Sequence, residues 1–272
     1  MNETVKFAAV AWGPRTVAIE YQWVGVADPQ APLVVFLHEG LGSVSMWQGF
    51  PARLCEQLQC RGLVYSRPGY GRSTPRPAGE HWEPDFMHRQ ACEVLPELLR
   101  TLRVDSAQEQ VWLLGHSDGG SIALLFAAHF PEALQGAVVM APHIMVEDLS
   151  IQSIAAARSA YLETQMRDRL QRYHADPDSA FWGWNDVWLS PAFRQWTIET
   201  ELDRITCPLL AVQGVDDAYG TLSQIRRIRD FAPQCELLEL SDCAHSPHRD
   251  QPDRLIHAVQ HFYQRQQLEI HP

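Results

Sequence analysis

Short apolar runs alternate along this chain with longer amphipathic stretches, and this alternation restricts the fold more than any other feature. Six runs are almost continuously apolar, as expected for strands buried on both faces of a parallel sheet. They are Leu33–Leu37, 62–65, 111–114, 137–140, 209–212 and 237–240. An earlier run, 16–23, alternates apolar and polar residues and is typical of an antiparallel edge strand. The pattern predicts an α/β fold in which a mostly parallel central sheet carries helices on both faces.

Two amphipathic stretches are predicted to be helices. In residues 91–102, apolar side chains recur at helical spacing, although Pro96 should kink this helix or shift its start. In residues 254–267, one stripe holds Leu255, Ala258, Val259 and Phe262 and predicts a surface helix that closes the domain.

The alternation is interrupted in residues 143–205, about sixty residues without a convincing strand. This length accommodates three or four helices between two strands of the sheet. The sequence therefore predicts one α/β core, formed by residues 1–142 and 206–272, with residues 143–205 inserted as a helical lid.

Four of the nine tryptophans lie within fifteen residues of this segment, after a predicted turn at 176–178. They are Trp182, Trp184, Trp188 and Trp196. Aromatic clusters most often pack against one another, so a small core inside the lid is the first interpretation. The alternative is that some of these rings line an apolar substrate pocket.

Composition argues against several classes of partner. The net charge of −11 would repel the phosphates of nucleic acid, and the longest obvious apolar run, 122–128, is far too short to cross a membrane. Residues 7–12 are too short for the apolar part of an export signal, and Glu3 stands where a basic residue is expected. Six scattered cysteines without C-x-x-C spacing indicate reduced thiols. We expect a cytoplasmic protein that binds neither membranes nor nucleic acid.

Residues 115–119 form a G-x-S-x-G pentapeptide, whose context matters more than its letters. It follows the run 111–114 and opens a helical stretch with Ile122, Leu125, Phe126 and His129 on one side. A serine in so sharp a strand-to-helix turn exposes its hydroxyl above the sheet. The helix N-terminus adds backbone donors and partial positive charge where an oxyanion would develop. This context favours Ser117 as a nucleophile over a passive turn serine.

A serine needs a base and an orienting acid to become a good nucleophile, and both follow downstream. The run 209–212 leads into Gly214 and two carboxylates, Asp216 and Asp217. The run 237–240 leads into a loop with His245 and His248.

These motifs, together with residues 38–42 and the loop 66–73, resemble those of the α/β-hydrolase-fold serine hydrolases, an esterase-like family with a helical lid. The likeness runs from about residue 33 to 262. It implies Ser117 as nucleophile, His245 as base and acid, and Asp217 as the orienting acid, with Asp216 and His248 as the alternatives.

The resemblance also implies an oxyanion hole, formed by the backbone N–H of Asp118 and that of Gly40, or alternatively Leu41. It places Leu41, His143, Trp182, Trp184 and Trp188 as candidate substrate-binding residues. Glu39 stands where the family commonly has glycine; we expect its side chain to point to solvent, and tuning of the site is the alternative. The acidic side chain of Asp118 is explained by the positive end of the helix dipole.

The implied activity is hydrolysis of a carboxylic ester, through an acyl-enzyme, on a small or medium and partly apolar acyl substrate. We expect no cofactor and no metal, since His257 and His261 are two ligands without partners. The same triad could instead cleave carbon–carbon bonds of ring-cleavage products, or thioesters, amides or lactones. More remotely, the chain could be a non-catalytic ligand-binding protein on this scaffold. A small-molecule substrate is the expected partner, and the sequence predicts no oligomeric state.

Overall fold

The computed structural model describes residues 4–106 and 108–270, and a single sheet organises them. Within these residues the sheet has eight strands, in the order β1-β2-β4-β3-β5-β6-β7-β8. The strands are β1 Lys6–Trp12, β2 Arg15–Gly25, β3 Leu33–Leu37, β4 Arg61–Tyr65, β5 Val111–His116, β6 Gly136–Met140, β7 Leu209–Gly214 and β8 Cys235–Leu240. β1 and β2 are antiparallel to their neighbours, and β3 to β8 pair in parallel. The predicted α/β architecture, with six parallel strands, is confirmed.

The helices lie between these strands and after β8. They are α1 Phe50–Leu58, α2 Phe86–Arg89, α3 Leu95–Thr101, α4 Asp118–His129, α5 Asp148–Glu163, α6 Met166–Leu170, α7 Pro177–Leu189, α8 Ser223–Phe231, α9 Pro247–Asp250 and α10 Pro252–Ile270. Short 3-10 helices occupy Val44–Trp47, Pro191–Gln195 and Glu199–Arg204, and a π-helical turn occupies Gln90–Val94.

Two features of the amino-terminal half differ from the sequence prediction. The predicted edge strand 16–23 is antiparallel but internal, because β1 pairs with its outer side and forms the edge. β1 was missed because its inward residues, Ala8, Val10 and Trp12, give only a short and partly alanine-based alternation. The helix predicted over 91–102 begins earlier, at α2, and its ladder widens into the π-helical turn just before Pro96. Proline has no N–H to donate, which is a common cause of such a distortion.

Apolar side chains cover both faces of the sheet. On one face, Leu54 of α1 and Leu255 and Phe262 of α10 pack in the cluster that includes Phe36 and Trp112. On the other face, α3 and α4 contribute to a larger cluster, which also takes in side chains of α5 and α7. The predicted surface helix 254–267 corresponds to α10.

The chain between β6 and β7 carries α5, α6 and α7 and the last two 3-10 helices, with one isolated bridge between Met145 and Thr197. Whether this segment acts as a lid stays a prediction. No helix in the described ranges 4–106 and 108–270 is long and apolar enough to cross a membrane. Since β3, β5, β7 and β8 are parallel, the segments that follow them emerge at one edge of the sheet.

Candidate active site

Ser117 occupies a sharp turn between β5 and α4. Its backbone has φ 54° and ψ −122°, a left-handed region that costs a non-glycine residue energy and that persists only where the surroundings enforce it. The flanking glycines explain how the turn fits. A Cβ on Gly115 would collide with the carbonyl of Gly119, and one on Gly119 would collide with the carbonyl of Leu37 on β3. The G-x-S-x-G pattern is thus required by the close approach of strand, turn and helix.

Asp217 and His245 meet at the same edge of the sheet. His245 Nδ1 lies 2.9 Å from both carboxylate oxygens of Asp217, so it donates to this carboxylate and leaves Nε2 on the opposite side of the ring. Asp217 also accepts from the backbone N–H of Tyr219 at 2.8 Å and from Gln213 Nε2 at 3.1 Å. Burial alone would raise the pKa of Asp217, but the bonds from His245 and Tyr219 hold it below its ordinary value. The carboxylate is therefore ionised and fixed in orientation.

The two alternatives for acid and base occupy other surroundings. Asp216 is exposed, next to buried Asp217. His248 is buried against the rings of Trp47 and His116, each at a centroid distance of 4.9 Å. Neither His248 nitrogen has a hydrogen-bond partner in the described part of the chain. The structure thus joins Asp217 to His245 and leaves Asp216 and His248 outside this pair.

Ser117 and His245 line one cavity of about 220 Å³. Its lining residues are Glu39, Gly40, Leu41, His116, Ser117, Asp118, His143, Ile154, Trp184, Trp188, Tyr219, His245 and Ser246. Ser117 Oγ forms no hydrogen bond with His245, or with any other residue that the structure describes. A larger groove of about 590 Å³ lies between β2 and α1, but none of the candidate catalytic side chains lines it.

Three backbone N–H groups at the cavity are free to receive an oxyanion. Those of Gly40, Leu41 and Asp118 donate to no acceptor within residues 4–106 and 108–270, and all three residues line the cavity. The N–H of Asp118 also lies at the N-terminus of α4, where the helix dipole favours negative charge. Preorganised donors of this kind are the usual means of stabilising a tetrahedral oxyanion.

The loop that carries Gly40 and Leu41 is held by hydrogen bonds to distant residues. Arg67 Nη2 donates to the carbonyl of Glu39 at 2.8 Å. His174, in the segment between β6 and β7, accepts from the N–H of Gly71 at 2.9 Å and donates to the carbonyl of Leu41 at 3.1 Å. Sequence reasoning missed His174, because nothing in its local pattern indicates a contact with residues more than a hundred positions away.

The expectation that Glu39 points to solvent is wrong. Its side chain is only 17% exposed, with Oε2 3.5 Å from His116 Nδ1 and Oε1 3.4 Å from Arg249 Nη2. Burial alone would raise the pKa of Glu39, but His116 and Arg249 hold it well below its ordinary value. The carboxylate therefore stays charged at the cavity wall.

Some tryptophans of the segment between β6 and β7 line the cavity, and others pack against neighbouring aromatic rings. Trp184 and Trp188 line the cavity, whereas Trp182 does not and packs against Tyr161 and Phe181. Trp196 stacks on Phe193, at a centroid distance of 5.0 Å. Leu41 and His143 also line the cavity. Four of the five candidate substrate-binding residues therefore lie at the cavity, and Trp182 is the exception.

Asp118 does more than cap a helix dipole. Its side chain is fully buried and accepts from Trp188 Nε1 at 3.3 Å, while its second oxygen has no partner among the described residues. Burial raises the pKa of Asp118 to about 6. The residue after the serine thus fixes the indole of Trp188 at the cavity wall.

Comparisons with known proteins agree with this architecture. Residues 34–258 match the sequence model described as the Alpha/beta hydrolase family. A 2-succinyl-6-hydroxy-2,4-cyclohexadiene-1-carboxylate synthase from Salmonella agona is 33% identical over 117 residues, which are 43% of this chain and 40% of that protein. The match therefore spans less than half the length of this relative.

Two further proteins match over most of the chain. A monoglyceride lipase from Rattus norvegicus is 23% identical over 252 residues, which are 85% of this chain and 80% of the lipase. Among solved structures, a thermophilic esterase from Thermogutta terrifontis superimposes with a TM-score of 0.70 and 18% identity, covering 97% of this chain and 99% of the esterase. That likeness concerns the fold.

No group of three His, Cys, Asp or Glu side chains suited to a metal ion occurs in the described part of the chain.

Proposed function

This chain belongs to the alpha/beta hydrolase family, and from that premise we propose that it is a serine hydrolase that cleaves a carboxylic ester through an acyl-enzyme intermediate. The observation that carries the proposal is the Asp217–His245 pair beside Ser117. His245 Nδ1 is held by both oxygens of Asp217, so Nε2 is the nitrogen left to take the serine proton, and both residues line one cavity.

The first half-reaction follows from these positions. Ser117 Oγ attacks the ester carbonyl carbon while its proton moves to His245 Nε2, and the carbonyl oxygen becomes an oxyanion. The free N–H groups of Asp118 and of Gly40 or Leu41 receive that oxyanion. The bond to the leaving alcohol then breaks, and His245 returns the proton to the alcohol oxygen. Asp217 stays ionised throughout and stabilises the imidazolium.

The second half-reaction repeats these roles with water. His245 takes a proton from water, the resulting hydroxide attacks the acyl carbon, and the bond from that carbon to Ser117 Oγ breaks as the serine regains its proton. Since Ser117 Oγ and His245 are not hydrogen-bonded to each other, a side-chain movement that joins them must precede the first proton transfer. Such contacts commonly tighten when substrate binds.

The cavity supports a small acyl substrate. Its volume of about 220 Å³ lies below the range of about 300–1,000 Å³ that is common for drug-sized ligands. Leu41, Ile154, Trp184 and Trp188 give it an apolar wall. We therefore expect short-chain esters to be better substrates than long-chain ones, and Trp184 and Trp188 to contact the substrate.

The test is reaction with a fluorophosphonate probe, together with hydrolysis of nitrophenyl acetate, butyrate and octanoate. We expect the wild-type protein to be labelled and to favour the short esters. Ser117→Ala should lose the label and lower kcat by about four to six powers of ten. An unlabelled wild type, or full activity in Ser117→Ala, would contradict the proposal. Thioester, amide and lactone analogues of the best acyl group, assayed in parallel, decide which bond is preferred.

A further inference from the structure

His143 is a buried histidine in the cavity for which the triad has no use. It follows β6, and its backbone is fixed by Ser121, whose Oγ donates to the carbonyl of His143 at 2.6 Å and accepts from its N–H at 3.0 Å. The residue is 2% exposed and lines the same cavity as Ser117. Its ring centroid lies 6.0 Å from that of His245 and 4.9 Å from that of Trp188. The imidazole therefore sits close to the reacting groups in a fixed position.

The ring of His143 lacks the hydrogen bonds that a buried imidazole normally has. Nδ1 is buried without a partner, and Nε2 makes no hydrogen bond to any residue within the described ranges. A buried polar group left unpaired costs free energy and calls for an explanation, such as a ligand atom that completes it. Burial, followed by the nearby His245, lowers the pKa of His143 to about 3. The ring is therefore neutral near pH 7 and offers one donor and one acceptor.

The His143 ring is packed by protein on two sides and lines the cavity that it shares with Ser117. The Trp188 indole packs against the ring, and its own N–H is already used by Asp118. At another edge the ring approaches Gly220, where an added Cβ would lie 3.6 Å from the imidazole carbon Cε1 and 3.4 Å from Gln213 Nε2. A substrate that passes between Ser117 and Trp188 would therefore bring its own polar atom to His143.

We propose that His143 is a specificity-determining residue, which hydrogen-bonds a hydroxyl or oxo substituent placed one to three bonds from the scissile carbonyl carbon. This inference rests on the proposed ester hydrolysis and names the class of substrate. The preferred substrates are small esters of hydroxy or oxo acids, or esters whose short alcohol carries a hydroxyl. The apolar wall of Leu41, Ile154 and Trp184 contacts the hydrocarbon part, and His143 selects the polar substituent.

The experiment compares esters of nearly equal shape that differ in one hydroxyl group. On the acyl side, nitrophenyl 3-hydroxybutanoate is paired with nitrophenyl 3-methylbutanoate, and nitrophenyl lactate with nitrophenyl 2-methylpropanoate. On the alcohol side, 2-hydroxyethyl butyrate is paired with propyl butyrate. We expect kcat/KM of the wild-type protein to favour the hydroxylated member of at least one pair by about tenfold or more. The pair that shows the preference identifies which side of the ester faces His143.

Variants of His143 separate recognition from general damage to the site. His143→Phe should bring the ratio of kcat/KM between the hydroxylated ester and its methyl counterpart close to one, whatever its effect on overall activity, and His143→Gln should restore part of that ratio because it keeps a donor and an acceptor. His261→Phe, on the exposed side of α10, is the control. Labelling by the fluorophosphonate reports on the proposed function independently. Normal labelling with no preference in the wild type, or with an unchanged preference in His143→Phe, would overturn the inference alone, whereas loss of labelling in the wild type would overturn both proposals.

Discussion

His116 Nε2 donates a hydrogen bond of 2.7 Å to the backbone carbonyl oxygen of His245. This contact ties the residue before the candidate nucleophile to the loop of the candidate base, and the His116 ring is 1% exposed. Its other nitrogen faces the Glu39 carboxylate at 3.5 Å. The loop with Gly40, the turn at Ser117 and the loop of His245 therefore meet at one side chain, which also lines the cavity.

Removing the His116 donor should reduce turnover without greatly changing substrate affinity. In His116→Leu the His245 carbonyl loses its buried partner, so the imidazole is held less firmly, and we expect kcat to fall about tenfold or more with KM within about threefold. His116→Gln, which can still donate an N–H, should recover part of that loss. Steady-state kinetics on the best ester measure both values, and His257→Gln on α10 is the matched control. A purely structural role would lower thermal stability while leaving kcat of the folded protein unchanged.

Two neighbouring carboxylates allow a direct test of the acid. Asp217→Asn removes the charge that orients His245 and stabilises its protonated form, so kcat should fall by about three to four powers of ten. Asp216→Asn changes an exposed carboxylate one residue away, and its kcat should stay within about twofold. Equal losses of kcat in the two variants would contradict the assignment of Asp217, and not Asp216, as the acid that orients His245.

His248 should make the fold sensitive to acid. Burial lowers its pKa from the ordinary value of 6.5 to about 3, so below pH 6.5 the unfolded chain binds a proton that the folded chain does not. The stability that the neutral ring supports is complete above pH 6.5 and is lost progressively as the pH falls towards 3. His248→Phe should therefore lose less free energy of unfolding than the wild type between pH 7.5 and 4.5, by about 2 kcal/mol. Urea unfolding at both pH values measures this difference. The control, His261→Phe, should behave as the wild type. Equal losses of unfolding free energy in His248→Phe and the wild type would refute the prediction.

The parts of the fold that could be predicted from sequence are those dictated by local pattern. Runs such as Leu33–Leu37 read as buried strands because both of their faces are covered, and the Ser117 turn was recognisable because its glycines are needed for close approach. β1 escaped detection because its inward residues, Ala8, Val10 and Trp12, form a short and partly alanine-based alternation, which carries little hydrophobic signal. Local sequence pattern therefore predicts where strands and turns lie, but it does not predict which strands pair with each other or which strand forms the edge of the sheet.

The contacts that tune the site join residues far apart in sequence, and this explains what was missed. Glu39 was expected in solvent because a buried carboxylate needs compensating charge, and the residues that supply it, His116 and Arg249, lie about 80 and 210 positions away. His174 likewise reaches Leu41 across 133 positions. Ser117, Asp217 and His245 could be proposed as a triad from sequence because family motifs mark them, whereas the residues that contact them follow only from packing.

Gly40 and Trp184 provide a last test, because the indole lies directly over the glycine. A Cβ on Gly40 would collide with Nε1 and Cδ1 of Trp184, so Gly40→Ala must displace either the indole or the backbone that carries the candidate oxyanion donor. We expect Gly40→Ala to lower kcat/KM by at least about tenfold, since a shift of about 1 Å in such a donor has effects of this size or larger. Trp184→Leu opens space at that point, so the double variant Gly40→Ala/Trp184→Leu should be more active than Gly40→Ala alone. Kinetics of the wild type, the two single variants and the double variant form a complete cycle. Strict additivity of the two effects would mean that the indole and the loop act independently, and would contradict the steric relationship described here.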